Sequence, residues 1–218
     1  MARNKYPEVT VEKILEVAKR LFMEKGYEET TIQDIVEGLG GLTKGAIYHH
    51  FKSKEDIMDA VSDQMFFENN PFEAVRNRTD LNGLQKMRAV ILLNQADGER
   101  VKMGKQALPI LKNPAILARL IESGRRVLAP QWLKLIEEGN RDGSIHTEFA
   151  QELAEVIPLL SDLWLAPSVF PASAEAVQRK FAFIAQMLEK MGLPLIDDEI
   201  FDAAQRYFSE WGEDERLS

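Results

Sequence analysis

The 218-residue chain contains no cysteine. Disulfides and thiolate metal sites are therefore excluded, and a reducing compartment fits the composition. Histidine is almost as scarce, with only His49, His50 and His146. Nucleophile–base arrangements are correspondingly few, and the zinc-protease and phosphate-loop spacings are missing. The carboxylates are abundant but spread along helical faces, so neither an enzyme nor a cofactor is expected. No apolar run approaches the roughly 20 residues that a membrane span needs. The opening Met1-Ala2-Arg3-Asn4-Lys5-Tyr6-Pro7 lacks the apolar core of a signal peptide. A cytoplasmic protein without membrane association is the expectation.

What is present is ordinary for a globular chain: 45% apolar and 28% charged residues. The length suits one large or two small domains with a real core. The net charge of −8 argues at first against a nucleic-acid partner, and residues 1–60 alone carry nine Lys/Arg against eleven Asp/Glu. From Gly38 to Lys54, however, there are three Lys and no acid. DNA responds to the local footprint, and an acidic remainder mainly limits non-specific binding.

Helical periodicity begins early. Val11, Ile14, Leu15, Ala18, Leu21 and Phe22 form one apolar stripe, with Thr10 predicted as N-cap and Gly26 as the stop. Thr30-Thr31-Ile32-Gln33 reads as a capping box in which Gln33 reaches back to the cap backbone. Ile32, Ile35, Val36 and Leu39 make the buried side of a second, short helix that Gly40-Gly41 ends, with Leu42 plugging the core beneath the turn. Thr43 starts a third helix with Ile47 and Phe51 inward. Two helices joined by a glycine turn, the second short and polar outside, form a helix-turn-helix. Ser53-Lys54-Glu55-Asp56 then opens a fourth helix, whose apolar face is Ile57, Met58, Val61 and Met65, until Asn69-Asn70-Pro71 breaks it.

Beyond Pro71 the pattern predicts helices over Leu81–Gln95, Glu99–Leu111, Pro114–Gly139, Thr147–Leu165, Ser173–Met191 and Asp198–Gly212, with no strand. Pro109, Pro130 and Pro158 each mark a kink or an end. The helices at 147–165 and 173–191 are apolar over more than about a 100° stripe and so need burial on more than one side. A homodimer built from this pair supplies it; an interior helix pair in a monomer is the alternative.

The first 60 positions resemble the TetR family of bacterial transcriptional regulators. The matching words are Ile14-Leu15-Glu16-Val17-Ala18, Leu21-Phe22-Met23-Glu24-Lys25-Gly26-Tyr27, Thr30-Thr31-Ile32-Gln33-Asp34-Ile35, and Lys44 through Lys54. One departure is visible: Gly40-Gly41-Leu42 is one residue longer than the usual turn. The resemblance implies an all-α protein. Residues 1–52 would be a three-helix DNA-binding domain, and residues 53–218 a helical effector-binding and dimerisation domain joined through a connecting helix at 53–69. It also implies a homodimer on a palindromic double-stranded operator, repressing a neighbouring promoter until an unidentified small-molecule effector binds.

On the matching positions, Lys44, Gly45, Ala46, Tyr48 and His49 are expected to face DNA, with Thr43 at the helix start. Gly45 and Ala46 permit close approach to base edges, and Lys44 suits guanine or phosphate. Tyr48, His50, Lys52 and Lys54 suit phosphate and sugar contacts, and Thr31 and Gln33 can add others near a helix N-terminus. Bland readings stand beside these: Tyr48 as a half-buried core residue, Lys52 and Lys54 as a solvated loop. Adjacent His49 and His50 point to different helix faces and are not expected to chelate a metal. For the effector, Met87, Met103, Trp132, Phe149 and Trp164 are of the kind that lines apolar cavities, and of the kind that simply fills cores. Arg125-Arg126 reads either as an anion clamp or as a solvated face. No ligand site is assigned. Two other functions remain open: a C-terminal domain that takes a protein partner, and a helical protein that does not bind DNA.

Overall fold

Every regular element among residues 7–209, the part of the chain that the computed structural model describes, is helical. In chain order these are α1 Pro7–Lys25, α2 Ile32–Leu39, α3 Lys44–His50, α4 Lys54–Glu68, α5 Pro71–Arg76, α6 Gly83–Ala96, α7 Gly98–Ala107, α8 Pro114–Ser123, α9 Ala129–Asp142, α10 Ala150–Leu159, α11 Ala174–Lys190 and α12 Asp198–Ser209. The predicted continuation of the last helix to Gly212 lies outside the described residues, as does most of the N-terminal segment. The helices sort into two units. One contains α1–α4 and α7, the other α5, α6 and α8–α12.

The first unit is held by the α1 stripe. Ile14, Ala18 and Phe22 are fully buried, against Ile35 of α2, Ile47 of α3, and Ile57, Met58 and Val61 of α4. Each of these side chains other than Ala18 contributes about 1.5–3 kcal/mol of burial free energy. Thr10 is not the cap of α1. The helix starts at Pro7, and Thr10 lies inside it with its side chain buried. Proline suits a first turn because its missing N–H would have no partner there.

The capping box of α2 is displaced by one residue from the expected one. Thr30 is buried, and its hydroxyl donates to the carbonyl of Gly26 at 2.7 Å. It is thus occupied at the end of α1, and Thr31 caps α2 instead. The Thr31 hydroxyl accepts from Asp34 N–H at 3.1 Å, and Asp34 accepts from Thr31 N–H at 2.7 Å. Gln33 pairs with Glu37 on the surface. The lengthened turn after α2 depends on two left-handed glycines, Gly40 at φ 56° and Gly41 at φ 143°. A side chain at either position would strain the backbone.

In the second unit, α6 crosses α9 at closest approach. A Cβ on Gly83 would lie 2.2 Å from the backbone nitrogen of Gly139, so only glycine fits the crossing. Asp142 accepts from Gly83 N–H at 2.7 Å, and Lys86, although buried, meets Glu138 at 2.6 Å. Phe72 of α5, a helix that the sequence pattern did not predict, stacks edge-on to Trp132 at 4.7 Å.

Pro109 lies in a 3-10 turn, Leu108–Lys112, at the end of α7, whereas Pro130 and Pro158 lie beside wider turns within helical paths. The helical path from Pro114 to Asp142 has a π segment at Gly124–Leu128, just before Pro130, where Ala129 N–H reaches Gly124 O. Pro158 sits inside α10, and a second π segment follows at Leu160–Trp164. A proline removes one i→i−4 hydrogen bond and its ring crowds the carbonyl a turn earlier, so a looser turn nearby relieves both.

Candidate nucleic-acid interface

Three caps fix the short helix α3 and its surroundings. The Thr43 hydroxyl accepts from Ala46 N–H at 3.3 Å, Thr31 caps α2, and Ser53 accepts from Asp56 N–H at 3.2 Å to start α4. Ile47 is fully buried and Phe51 nearly so, which anchors one side of α3 in the core. The opposite side is then set by the 3.6-residue period. Lys44, Gly45, Tyr48 and His49 are exposed along it, while Ala46 and His50 flank it half-buried. Tyr48 is 47% exposed, so about half of its surface is open to solvent. The His49 and His50 rings meet edge to face at 5.1 Å.

Thr31, Gln33, Thr43 and Lys52 are also exposed. Their freedom differs. Thr31 and Thr43 already use their hydroxyls as caps, and the Gln33 amide donates to Glu37 at 3.1 Å. Asp34 lies beside Thr31. A hydrogen-bonded ion pair with Lys25 at 2.8 Å, then the Thr31 contacts, hold its carboxyl well below the usual carboxylate range.

Lys54 has a different place from the one expected. Its ammonium donates to the carbonyls of Tyr27 at 2.8 Å and Glu28 at 3.3 Å, and sits 4.1 Å from the centre of the Tyr27 ring. These bonds tie the loop after α1 to the start of α4 and turn the charge away from a phosphate role. Tyr27 itself is buried, and burial pushes its hydroxyl pKa up, with Glu55 adding to the shift. Glu55 is held down in turn, first by Ser53 and more weakly by Tyr27. No local sequence signal separates Lys54 from Lys52; only the folded loop does.

The residues weighed for an effector site are mostly core. Met87, Met103 and Trp132 are buried, and Phe149 is exposed. Arg125 and Arg126 are exposed and both pair with Glu122. The groove lined by Asn82, Lys86, Glu138, Arg141 and Asp142 is open to solvent, unlike the enclosed sites that small ligands generally occupy.

Residues 14–61 match the family model of bacterial regulatory proteins, tetR family. The HTH-type transcriptional repressor KstR2 of Rhodococcus jostii is 26% identical over 153 residues, which cover 65% of this chain and 70% of that protein. KstR2 of Mycolicibacterium smegmatis is 25% identical over 184 residues, 79% of this chain and 87% of that one. A TetR-family transcriptional regulator from Pectobacterium atrosepticum shares the fold with a TM-score of 0.59, at 21% identity, over 88% of this chain and 98% of its own. The DNA-binding motif at residues 14–61 is thus that of the tetR family of bacterial regulatory proteins, and the chain as a whole is similar to transcriptional regulators of that family.

Proposed function

We propose that this regulator binds a palindromic operator as a homodimer, represses transcription from it, and is released when a small-molecule effector binds the second unit. The observation that carries the reading is the division of α3. Ile47 and Phe51 are spent on the core, and Lys44, Gly45, Tyr48 and His49 are presented on one outer face. A seven-residue helix that buries so little of itself is suited to a groove rather than to stabilising its own fold. The contact set comprises Thr31, Gln33, Thr43, Lys44, Gly45, Ala46, Tyr48, His49, His50 and Lys52. Lys44 and Tyr48 carry most of it, through base-edge and phosphate contacts respectively.

Two copies are needed because one such helix reads too few base pairs to be selective. Leu159 of α10, Phe183 of α11 and Met191 at its end are exposed apolar side chains, 42%, 56% and 40% accessible. They lie on the two helices whose apolar faces exceed one core. Pairing them across a twofold axis buries those faces and places two α3 helices about one DNA turn, roughly 34–36 Å, apart. An effector that shifts the dimer from 99:1 in favour of the DNA-competent state to 1:99 supplies about 5.5 kcal/mol of differential affinity.

The test is binding to the duplex upstream of the chain's own coding sequence, measured across a salt series. Wild-type protein binds with a steep salt dependence, since each neutralised phosphate adds a slope of about −0.9 in log K against log salt. Lys44→Ala with Tyr48→Ala abolishes that binding. If the double variant binds as tightly as wild type at the same salt, α3 is not the reading helix and the proposal fails.

A further inference from the structure

In a helix-turn-helix the first helix crosses the sugar–phosphate backbone while the second enters the groove. Here α2 is the first helix and α3 the second. A phosphate diester only accepts hydrogen bonds, so a side-chain contact beside α2 needs a free donor. Thr31, which stands there, has none. Its N–H donates to Asp34 Oδ2 at 2.7 Å, and its hydroxyl donates to the same oxygen at 2.8 Å. The hydroxyl oxygen in turn accepts from Asp34 N–H at 3.1 Å. Gln33 gives an amide proton to Glu37 at 3.1 Å, and the amide proton it keeps carries no full charge.

Lys25, the last residue of α1, has what these side chains lack. Its ammonium meets the second Asp34 oxygen, Oδ1, at 2.8 Å, which brings it against the first turn of α2. That bond leaves other ammonium protons free, and the side chain is 43% exposed. Asp34 is itself held by the bonds from Thr31 and by its own N–H, so the ammonium is pinned at a defined place. A long side chain already ordered loses less rotamer entropy when it meets a ligand.

We propose that Lys25 is a further operator-binding residue: it donates to a backbone phosphate beside the first turn of α2, and Asp34 positions it there. The inference rests on the operator-binding reading above. Thr31 keeps its place beside the phosphate, and a residue of the preceding helix supplies the donor and the charge. Phosphate contacts fix register without reading bases, so Lys25 adds affinity and no sequence preference.

The experiment uses the full chain, the duplex that wild-type protein selects from a random-sequence pool, and a salt series. Lys25→Gln is expected to lower affinity about tenfold or more, and to reduce the slope of log K against log salt by about 0.9 for each copy bound. Lys25→Arg keeps the charge and is expected to keep the slope, with affinity within about threefold of wild type. Removing the ammonium also bares Asp34, and a bare carboxylate repels DNA by itself. Lys25→Gln with Asp34→Asn separates the two effects, and the double variant is expected to retain the reduced slope. If it regains wild-type slope and affinity, Lys25 only neutralises Asp34 and the inference fails. A slope unchanged by Lys25→Gln, whatever the affinity, makes Lys25 a structural residue and overturns it as well. A second measurement leaves Asp34 intact: each phosphate of the duplex is replaced in turn by a neutral methylphosphonate. One position in each half-site is expected to cost wild-type protein about tenfold and Lys25→Gln less than about twofold. Equal costs to both proteins at every position overturn the inference, even where the double variant does not fold. If wild-type protein selects no duplex, the proposed function itself has failed and the inference falls with it.

Discussion

Lys54 and Lys52 lie two residues apart in a basic segment, yet the fold gives them different work. The Lys54 ammonium closes the loop after α1 by bonding two carbonyls and covering the Tyr27 ring, whereas Lys52 extends into solvent. Gly45 poses the opposite case. A Cβ there would meet nothing nearer than the Thr43 hydroxyl oxygen at 3.8 Å, and the backbone is not left-handed. The fold has room for alanine at this position, and glycine in a helix costs about 0.5–1 kcal/mol relative to it. Gly45→Ala is therefore expected to raise the melting temperature while weakening operator binding about tenfold, within the 1–3 kcal/mol that one good base contact carries. Thermal denaturation and operator titration on the same preparation check the opposite signs; a variant that is more stable and binds as well as wild type would remove Gly45 from the contact face.

Among the elements, the π segments separate chemistry from simple helix geometry. Asp162 is half-buried in the second of them, and its carboxyl is desolvated strongly enough to rise to about 6, an effect opposed by the Ser161 hydroxyl at 2.7 Å. With the native pKa above an unfolded value of about 3.9, the folded state holds the proton more tightly. The contribution of this group to stability is thus greatest below pH 4, declines as pH rises through about 6, and is level above that. Asp162→Asn removes this titration. Melting temperatures from pH 4 to 7 should decline less for the variant than for wild type, and the variant should be the more stable at pH 7. Parallel curves would show that the carboxyl is solvated. The displaced capping box of α2 illustrates a related competition between elements. The Thr30 hydroxyl is claimed by the end of α1, so the cap moves to Thr31 and its partner becomes Asp34.

At the scale of the molecule, the proposed dimer makes the clearest demand. Phe183 is 56% exposed and stacks edge-on to Trp164 at 5.7 Å, so its replacement costs the monomer little packing. Phe183→Glu puts a charge into an apolar interface and is expected to give a monomer by sedimentation at concentrations where wild type is dimeric. Its helical circular dichroism should be unchanged and its affinity for a palindromic operator more than tenfold lower. A variant that stays dimeric would move the interface elsewhere.

Most of the first unit was legible in the chain because its signals are short-range. The stripe from Ile14 to Phe22, the glycine turn, the cap at Thr43 and the i,i+4 pair Ile47/Phe51 each act within a few residues. Steric limits on φ and the 3.6-residue period turn such spacings directly into structure. The exposed face of α3 follows from the same arithmetic. Tertiary structure alone decided where α7 packs, that Arg100 reaches a carbonyl 31 residues earlier, and that Lys54 reaches one 27 residues earlier. It also decided that Lys86 is buried against Glu138, 52 residues away. Those pairings depend on which helix ends meet in space, and neither periodicity nor propensity carries that information.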